Sequence, residues 1–526
     1  MRRLHLGRIA LALCLLAILW VRLSDPFGDR GMSNVLTGML LAAAALGITC
    51  SFALRRAISL RWRLGVLGAL ACLLLLAAVS VRVEGVSGEM IPHLVWRSHA
   101  RMPSDSVRSA SVSALGPTSS SDFPAFLGPR RDNRVPEVQL ARDWEARPPR
   151  ARWRAPIGAG WSAFAAAGGW AFTMEQDEKN QRVSARSIAD GALAWSVELD
   201  QPFDHPLGGA GPRSTPAVEL GETGGEGRVY ALSAWGRFAC LAARTGALLW
   251  SHDLMAEHGL TRERELELAQ YGRSSSPLVV GELVVVPAGG DPAANQAGLV
   301  AFDKRTGERR WASPPRNQSY SSPAFATLAG VPQFLIVNEA SLSGHSPEDG
   351  RLLWEHPWPG TTSGDANVSQ AVPLAPERVF VSKGYGGGGA LLALEARADG
   401  TLAARELWHD GRKLRTKLTN VVLLDGFVYG LDDGMLECVE LATGAKRWKS
   451  GRYGHGQILL AGELMLVCSE EGEVFLLEPS PERENAVLGS FQALADKCWA
   501  HLALAGDVLL LRNAEECTAW ELPLER

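Results

Sequence analysis

The 526-residue chain is 46% hydrophobic and 21% charged, with 53 Lys and Arg against 57 Asp and Glu for a formal charge of -4. This balance excludes a wholly disordered chain and a many-span transporter, and without a basic field nucleic acid is not an expected partner. Seventeen Trp against six Tyr, together with 55 Gly, point to a repeat that uses Trp and tight turns again and again.

Three uncharged apolar runs open the chain, at residues 9–21, 33–54 and 64–81. About 20 helical residues cross roughly 30 Å of hydrocarbon, so the second and third suffice and the first is marginal. A cleaved signal peptide competes for the first run, but Val21-Arg22-Leu23-Ser24-Asp25-Pro26 has no small-x-small cleavage site. Arg2, Arg3 and Arg8 precede run one, and Arg55, Arg56, Arg61 and Arg63 link runs two and three. Because cationic flanks stay inside, the N-terminus is expected in the cytoplasm and everything after run three outside it. The expected organisation is a membrane anchor over 1–97, a Ser-rich flexible linker over 98–121, and one large domain over 122–526.

From about Arg150, short β-type runs alternate with Gly-containing turns, and one phrase recurs. It reads Ala301-Phe302-Asp303-Lys304-Arg305-Thr306-Gly307-Glu308-Arg309-Arg310-Trp311 in its clearest copy. Ala185, Asp190-Gly191 and Trp195 repeat it, as do Cys240, Gly246 and Trp250; Gly344, Gly350 and Trp354; and Cys438, Gly444 and Trp448. In each, a small residue stands before the Gly and a Trp after it. A sixth copy has Gly400, but its Trp408 comes four residues late, as an insertion in the turn or a bulge would cause. Successive Gly are 43 to 61 residues apart, the length of a four-stranded propeller blade. The Gly belongs in the hairpin before the outer strand, and each Trp is expected to cover the small residue of a neighbouring repeat. Residues 457–494 form a degenerate seventh unit without Trp. The last unit, from Trp499, lacks an outer strand, while Arg150-Ala151-Arg152-Trp153-Arg154 is an outer strand without a blade. The expected fold is therefore all-β, an eight-bladed propeller closed by the strand near 150–155, with about three membrane helices before it. Trp153, Trp195, Trp250, Trp311, Trp354, Trp408 and Trp448 are its docking residues.

This repeat resembles the tryptophan-docking repeat of the pyrroloquinoline quinone (PQQ) type, BamB-like propeller family. Phe126-Leu127-Gly128-Pro129-Arg130-Arg131-Asp132 is similar to the opening of its bacterial members, with Leu127 and Asn133 departing from the usual pattern. The resemblance implies either of two functions. The first is a non-catalytic binding or scaffold module, tethered to the bacterial inner membrane, with its propeller in the periplasm and envelope proteins or peptides as partners. The alternative is a membrane-bound quinoprotein dehydrogenase of alcohols or sugars, holding PQQ with Ca²⁺. The adjacent Cys-Cys pair common in the alcohol-oxidising branch is absent, and its metal ligands have no matching motif here, so no catalytic residue, cofactor site or metal site is assigned and the binding module ranks first.

The eight Cys include five in the propeller, an odd number; Cys240, Cys438 and, by analogy, Cys517 fall at the small-residue position. The run Gly384-Tyr385-Gly386-Gly387-Gly388-Gly389 precedes a strand and not a helix, so it reads as a hairpin and not a phosphate cradle. Candidate residues lining the central funnel are Arg213, Arg273, Tyr320, Asn367, Gln370, Asn420, His455, Gln457 and His501.

Overall fold

The computed structural model describes residues 2–24, 26–55, 57–97, 112, 115–221, 227–289, 297–360 and 365–525. The chain forms two compact units, Met1–Arg101 and Met102–Arg526.

In the first unit the apolar runs become helices Arg2–Ser24, Arg30–Ala53 and Leu60–Ser80. The second starts at Asp29, whose carboxylate accepts from the amide of Met32 at 2.8 Å. Its polar seam is tied down: Arg22 Nη1 donates to Asn34 Oδ1, and Asn34 Nδ2 to the Glu89 carbonyl, each at 2.8 Å. The second and third helices are long and apolar enough to cross a membrane, whereas the apolar part of the first, Leu11–Ser24, is shorter. Leu73, Leu74, Leu75 and Leu76 are all more than 60% exposed, so leucine faces outward all around the third helix, as lipid would reward and water would not. A hairpin of Val81–Val86 and Pro92–Trp96, not anticipated from the sequence, follows directly.

The second unit contains eight antiparallel sheets in chain order, which are the blades. Blades 1 to 7 span residues 165–200, 217–253, 278–312, 324–357, 372–410, 422–452 and 457–492; blade 8 spans 503–521 and takes Arg150–Pro156 as its fourth strand. Ala519 pairs with Trp153 and Glu516 with Pro156 in that closure. An apolar core runs between neighbouring blades, and blades 7, 8 and 1 share one continuous cluster.

Each docking Trp except Trp354 spans a blade junction, although not as expected. Its indole N–H donates to a carbonyl in the next blade's last hairpin: Trp153 to Ile188, Trp195 to Ala243, Trp250 to Lys304, Trp311 to Pro347, Trp408 to Leu441 and Trp448 to Ser480, at 2.7 to 3.3 Å. The ring lies on that hairpin's Gly, so Gly191, Gly246, Gly307, Gly350 and Gly444 have the preceding blade's Trp where a Cβ would stand. The small residue is instead the cross-strand partner of the Trp in its own blade, as in Ala185 opposite Trp195 and Cys240 opposite Trp250. A bulky residue there would compete with the indole for the same face. Ala519 takes this place in blade 8, which corrects the analogy made for Cys517; that residue lies opposite Ala155.

Trp354 is the exception among the docking residues. Blade 5's insertion lengthens both strands of its last hairpin, Gly388–Ala396 and Leu402–Asp410, and carries Gly400 out of reach. Trp354 turns its N–H to Gln333 Oε1 in its own blade. The Gly-rich run at 384–389 is a hairpin, with Lys383 paired to Gly388.

The segment expected as a linker divides. Residues 98–111, 113 and 114 lie outside the described residues, whereas Val112 and Leu115 are buried against blades 1 and 2, where apolar side chains gain by leaving water.

Candidate functional site

Strands alternate in direction within a blade, so two sets of turns collect on opposite rims. The first-to-second and third-to-fourth turns share one rim; the second-to-third turns and blade-to-blade connections share the other. Val112 and residues 115–141 run along the first. Val112 donates its amide to the Arg244 carbonyl and Gly116 to that of Gly168, while Gly462 donates to the Val135 carbonyl.

From this rim the segment 123–135 fills the axis. Phe123 pairs with Ala166 of blade 1, Val218 of blade 2 donates to the Pro124 carbonyl, and Arg134–Val135 lies parallel to the first strand of blade 7. Arg131 reaches furthest, giving Nη1 to the Pro277 carbonyl at 2.7 Å and Nη2 to the Ser276 carbonyl and Gln370 Oε1. Asn133 Nδ2 donates to Val421 of blade 6, and Phe126 meets the edge of His501 at 5.7 Å. The opening phrase that resembles the family is therefore a plug made of the chain itself.

Of the nine funnel candidates, Gln370 and His501 touch this segment, whereas Asn367 and Gln457 tie turns and connections of neighbouring blades. Gln370 accepts from and donates to Arg131, and its amide donates to Asn420 Oδ1 at 2.8 Å. Asn367 Nδ2 donates to the carbonyls of Asn338, Glu339 and Trp358. Gln457 Nε2 bridges the carbonyls of Leu418 and Trp499. His501 bonds through Nδ1 to the Leu502 carbonyl, and burial lowers its pKa to about 4. Arg273 is 2% exposed and paired through two nitrogens with Glu265, so it is a buried staple and not a funnel residue. Its partner comes from helix Arg262–Leu268, an insertion after blade 2 that the sequence reading did not identify.

On the opposite rim, three candidates, Arg213, Tyr320 and His455, lie among aromatic neighbours. Trp161 and Trp499 are 5.1 Å apart at their ring centroids, and Lys497 Nζ sits 4.0 Å from the Trp499 centroid. Trp161 donates to the Gly208 carbonyl; from that loop His205 packs edge-on against Tyr271 at 4.7 Å, and Tyr271 against Tyr320 at 5.7 Å. Arg213 lies over Phe203 and donates to the carbonyls of Gly209 and Gly211. Desolvation lowers its pKa to about 10, and among the described residues no carboxylate forms a salt bridge with it. Further round, His455 Nε2 is 3.8 Å from Asp433, and Glu470 accepts from Trp499 Nε1 and the His455 amide. Trp161, His205, Tyr271, Lys497 and Trp499 were missed because they lie outside the repeated phrase; their position just before a first strand was the available signal.

Among the described residues no three His, Cys, Asp or Glu side chains are grouped as a cation would require. Three buried carboxylates are paired: Glu265 with Arg273 and Gln318, Asp432 with Arg415 and Lys449, and Glu470 with Trp499. Arg415 and Lys449 outweigh the effect of burial on Asp432 and hold its carboxyl below the usual range.

Comparison with known proteins bears on both expected functions. A family model described as outer membrane protein assembly factor BamB matches residues 179–450, more than half the chain. The quinohemoprotein alcohol dehydrogenase ADH-IIG of Pseudomonas putida is 30% identical over 129 residues, covering 24% of this chain and 16% of that protein. Among solved structures, a europium-containing methanol dehydrogenase aligns with a TM-score of 0.56 at 12% identity, over 77% of this chain and 98% of its own. BamB from Moraxella catarrhalis aligns with a TM-score of 0.49 at 14% identity, over 71% and 100%. At 12% identity the likeness to the methanol dehydrogenase is one of fold.

Proposed function

Because the chain belongs to the family described as outer membrane protein assembly factor BamB, we propose that it is a non-catalytic propeller, tethered to the inner membrane and held in the periplasm, that binds envelope proteins or peptides. The observation carrying this reading is the axis: segment 123–135 fills it from one rim, leaving the aromatic and cationic face of the other as the surface for a partner. Trp, Tyr and Arg are the side chains that anchor protein interfaces, because they bury large areas at modest entropic cost. Half-buried Trp499, Tyr271 and Arg213 fit a partner segment carrying aromatic and acidic side chains. The helices Arg30–Ala53 and Leu60–Ser80 are compatible with the tether.

The test is capture from envelope extract by the full-length chain in detergent, compared with a Lys497→Ala, Trp499→Ala variant. Two anchors at roughly 1 to 2 kcal/mol each predict at least a tenfold loss of the captured protein with an unchanged melting profile. Equal capture by both chains overturns the assignment of this face. Stoichiometric retention of added PQQ and Ca²⁺ through gel filtration, with dye reduction by alcohols or sugars, overturns the non-catalytic reading in favour of the dehydrogenase.

A further inference from the structure

Blade 7 is the one repeat whose outer strand, Ala486–Gln492, contains no docking Trp; its Phe491 instead packs on Trp520 of blade 8 at 4.5 Å. Two thiols meet at this junction. Cys468 ends the second strand of blade 7, and Cys498 lies on the connection into blade 8. Both are completely buried in the core shared by these blades. The amide of Cys498 donates to the Glu470 carbonyl at 2.7 Å, which fixes its backbone beside the strand end carrying Cys468. Cys498 Sγ also lies 3.3 Å from the Arg512 carbonyl of blade 8, Cys468 Sγ lies 3.6 Å from the Ser469 carbonyl, and the two thiols are close enough to perturb each other. The other three propeller cysteines have separate places: Cys240 and Cys438 opposite Trp250 and Trp448, and Cys517 against the Ala155 carbonyl.

We propose that Cys468 and Cys498 form a disulfide in the mature protein, a covalent staple across the junction that lacks the docking tryptophan. This rests on the extracytoplasmic reading above, since disulfides persist in oxidising compartments. The oxidant is the disulfide of an extracytoplasmic thiol–disulfide oxidase. One cysteine thiolate attacks it to give a mixed disulfide; the second displaces the oxidase sulfur. Cys468 and Cys498 together lose two electrons and two protons, and the oxidase disulfide gains them as a dithiol. In the folded chain the neighbouring Cys498 thiol and burial hold Cys468 well above its ordinary pKa, which suppresses the reactive thiolate. Exchange therefore occurs on the folding chain, before blades 7 and 8 close. Pairing these two leaves three buried cysteines, Cys240, Cys438 and Cys517, as packing residues.

The full-length chain, reduced and denatured, is refolded in detergent with oxidised glutathione, alkylated and digested. The expected result is one linked peptide pair joining Cys468 to Cys498, lighter by two hydrogens than the separate peptides, with Cys240, Cys438 and Cys517 alkylated. In a Cys498→Ser variant Cys468 is alkylated and no other pair replaces it. Alkylation of both residues in the refolded wild type, or a scrambled set of pairs, overturns the proposal whatever the compartment. The same digestion is applied to protein from untreated cells, and spheroplasts of the same cells are treated with protease. Loss of the propeller to the protease, with the pair found linked in the same cells left untreated, supports the proposal; loss with both thiols alkylated in the untreated cells overturns it. Protection from the protease overturns the extracytoplasmic reading instead, and with it the disulfide in the cell.

Discussion

Gly246→Ala and Gly400→Ala test the docking geometry against each other. Both glycines have left-handed backbones, at φ 71° and 79°, and both close the last hairpin of a blade. An L-residue forced into that region costs about 1 to 2 kcal/mol, a cost common to the two sites. They differ in what a methyl group would meet. At Gly246 it would fall 2.7 Å from Val197 Cγ2 and 2.9 Å from the Trp195 ring, both from the preceding blade; at Gly400 nothing lies within 4 Å. Overpacking of a closed core adds roughly 1 to 3 kcal/mol, at Gly246 only. With a urea dependence of about 3 kcal/mol/M, the two variants should separate by roughly 0.3 to 1 M in midpoint. The assay is urea unfolding of the full-length chain in detergent, followed by tryptophan emission, with hydrogen exchange of both hairpins. Protection should fall across the junction of blades 1 and 2 in Gly246→Ala and only locally in Gly400→Ala. Equal midpoints would mean that the glycines serve the turn alone and that the indole stack contributes nothing.

Burial lowers both His501 and His345 to about 4, below the ordinary 6.5 of histidine. The unfolded chain therefore binds these protons first as pH falls, so the contribution to stability is full above about 6.5 and is lost toward pH 4, by up to roughly 3 kcal/mol per histidine. A His345→Gln, His501→Gln variant should flatten the pH dependence of the urea midpoint across that window; an unchanged slope refutes the assignment. Arg131→Ala removes the donors to Pro277, Ser276 and Gln370 and leaves buried acceptors unmet, each worth about 1 to 3 kcal/mol. Trypsin should then cut after Arg130 or Arg134 faster than in the wild type, and equal cleavage rates would show that the plug does not depend on this guanidinium.

What was legible in the sequence was whatever is repeated. Trp153 keeps the outer-strand phrase although it stands far from blade 8, so closure between Arg150–Pro156 and Glu516–Glu521 could be read before any coordinates. The loss of docking at Trp354 had its signal in the late arrival of Trp408; the lengthened hairpin makes that delay a displaced Gly400. The helix bearing Glu265 and the hairpin after Ser80 were not legible, because each occurs once and neither carries the repeat's spacing. The face proposed for a partner was half legible: Arg213, Tyr320 and His455 were singled out from their place before the first strands, but the aromatic rings nearby were not.

The axis shows why the remainder stayed hidden. Eight similar blades leave one central space, and a repeated residue cannot fill it, since each copy faces only its own wedge. The filling must come from a segment outside the repeat. Residues 123–135 are such a segment, and their partners lie far along the chain: Arg131 meets Pro277 and Gln370, and Asn133 meets Val421, at separations of 146, 239 and 288 residues. No periodicity links positions so distant. The phrase from Phe126 to Asp132 was visible as a departure from the repeat, and a departure at the head of a closed wheel is where the single plug must be sought.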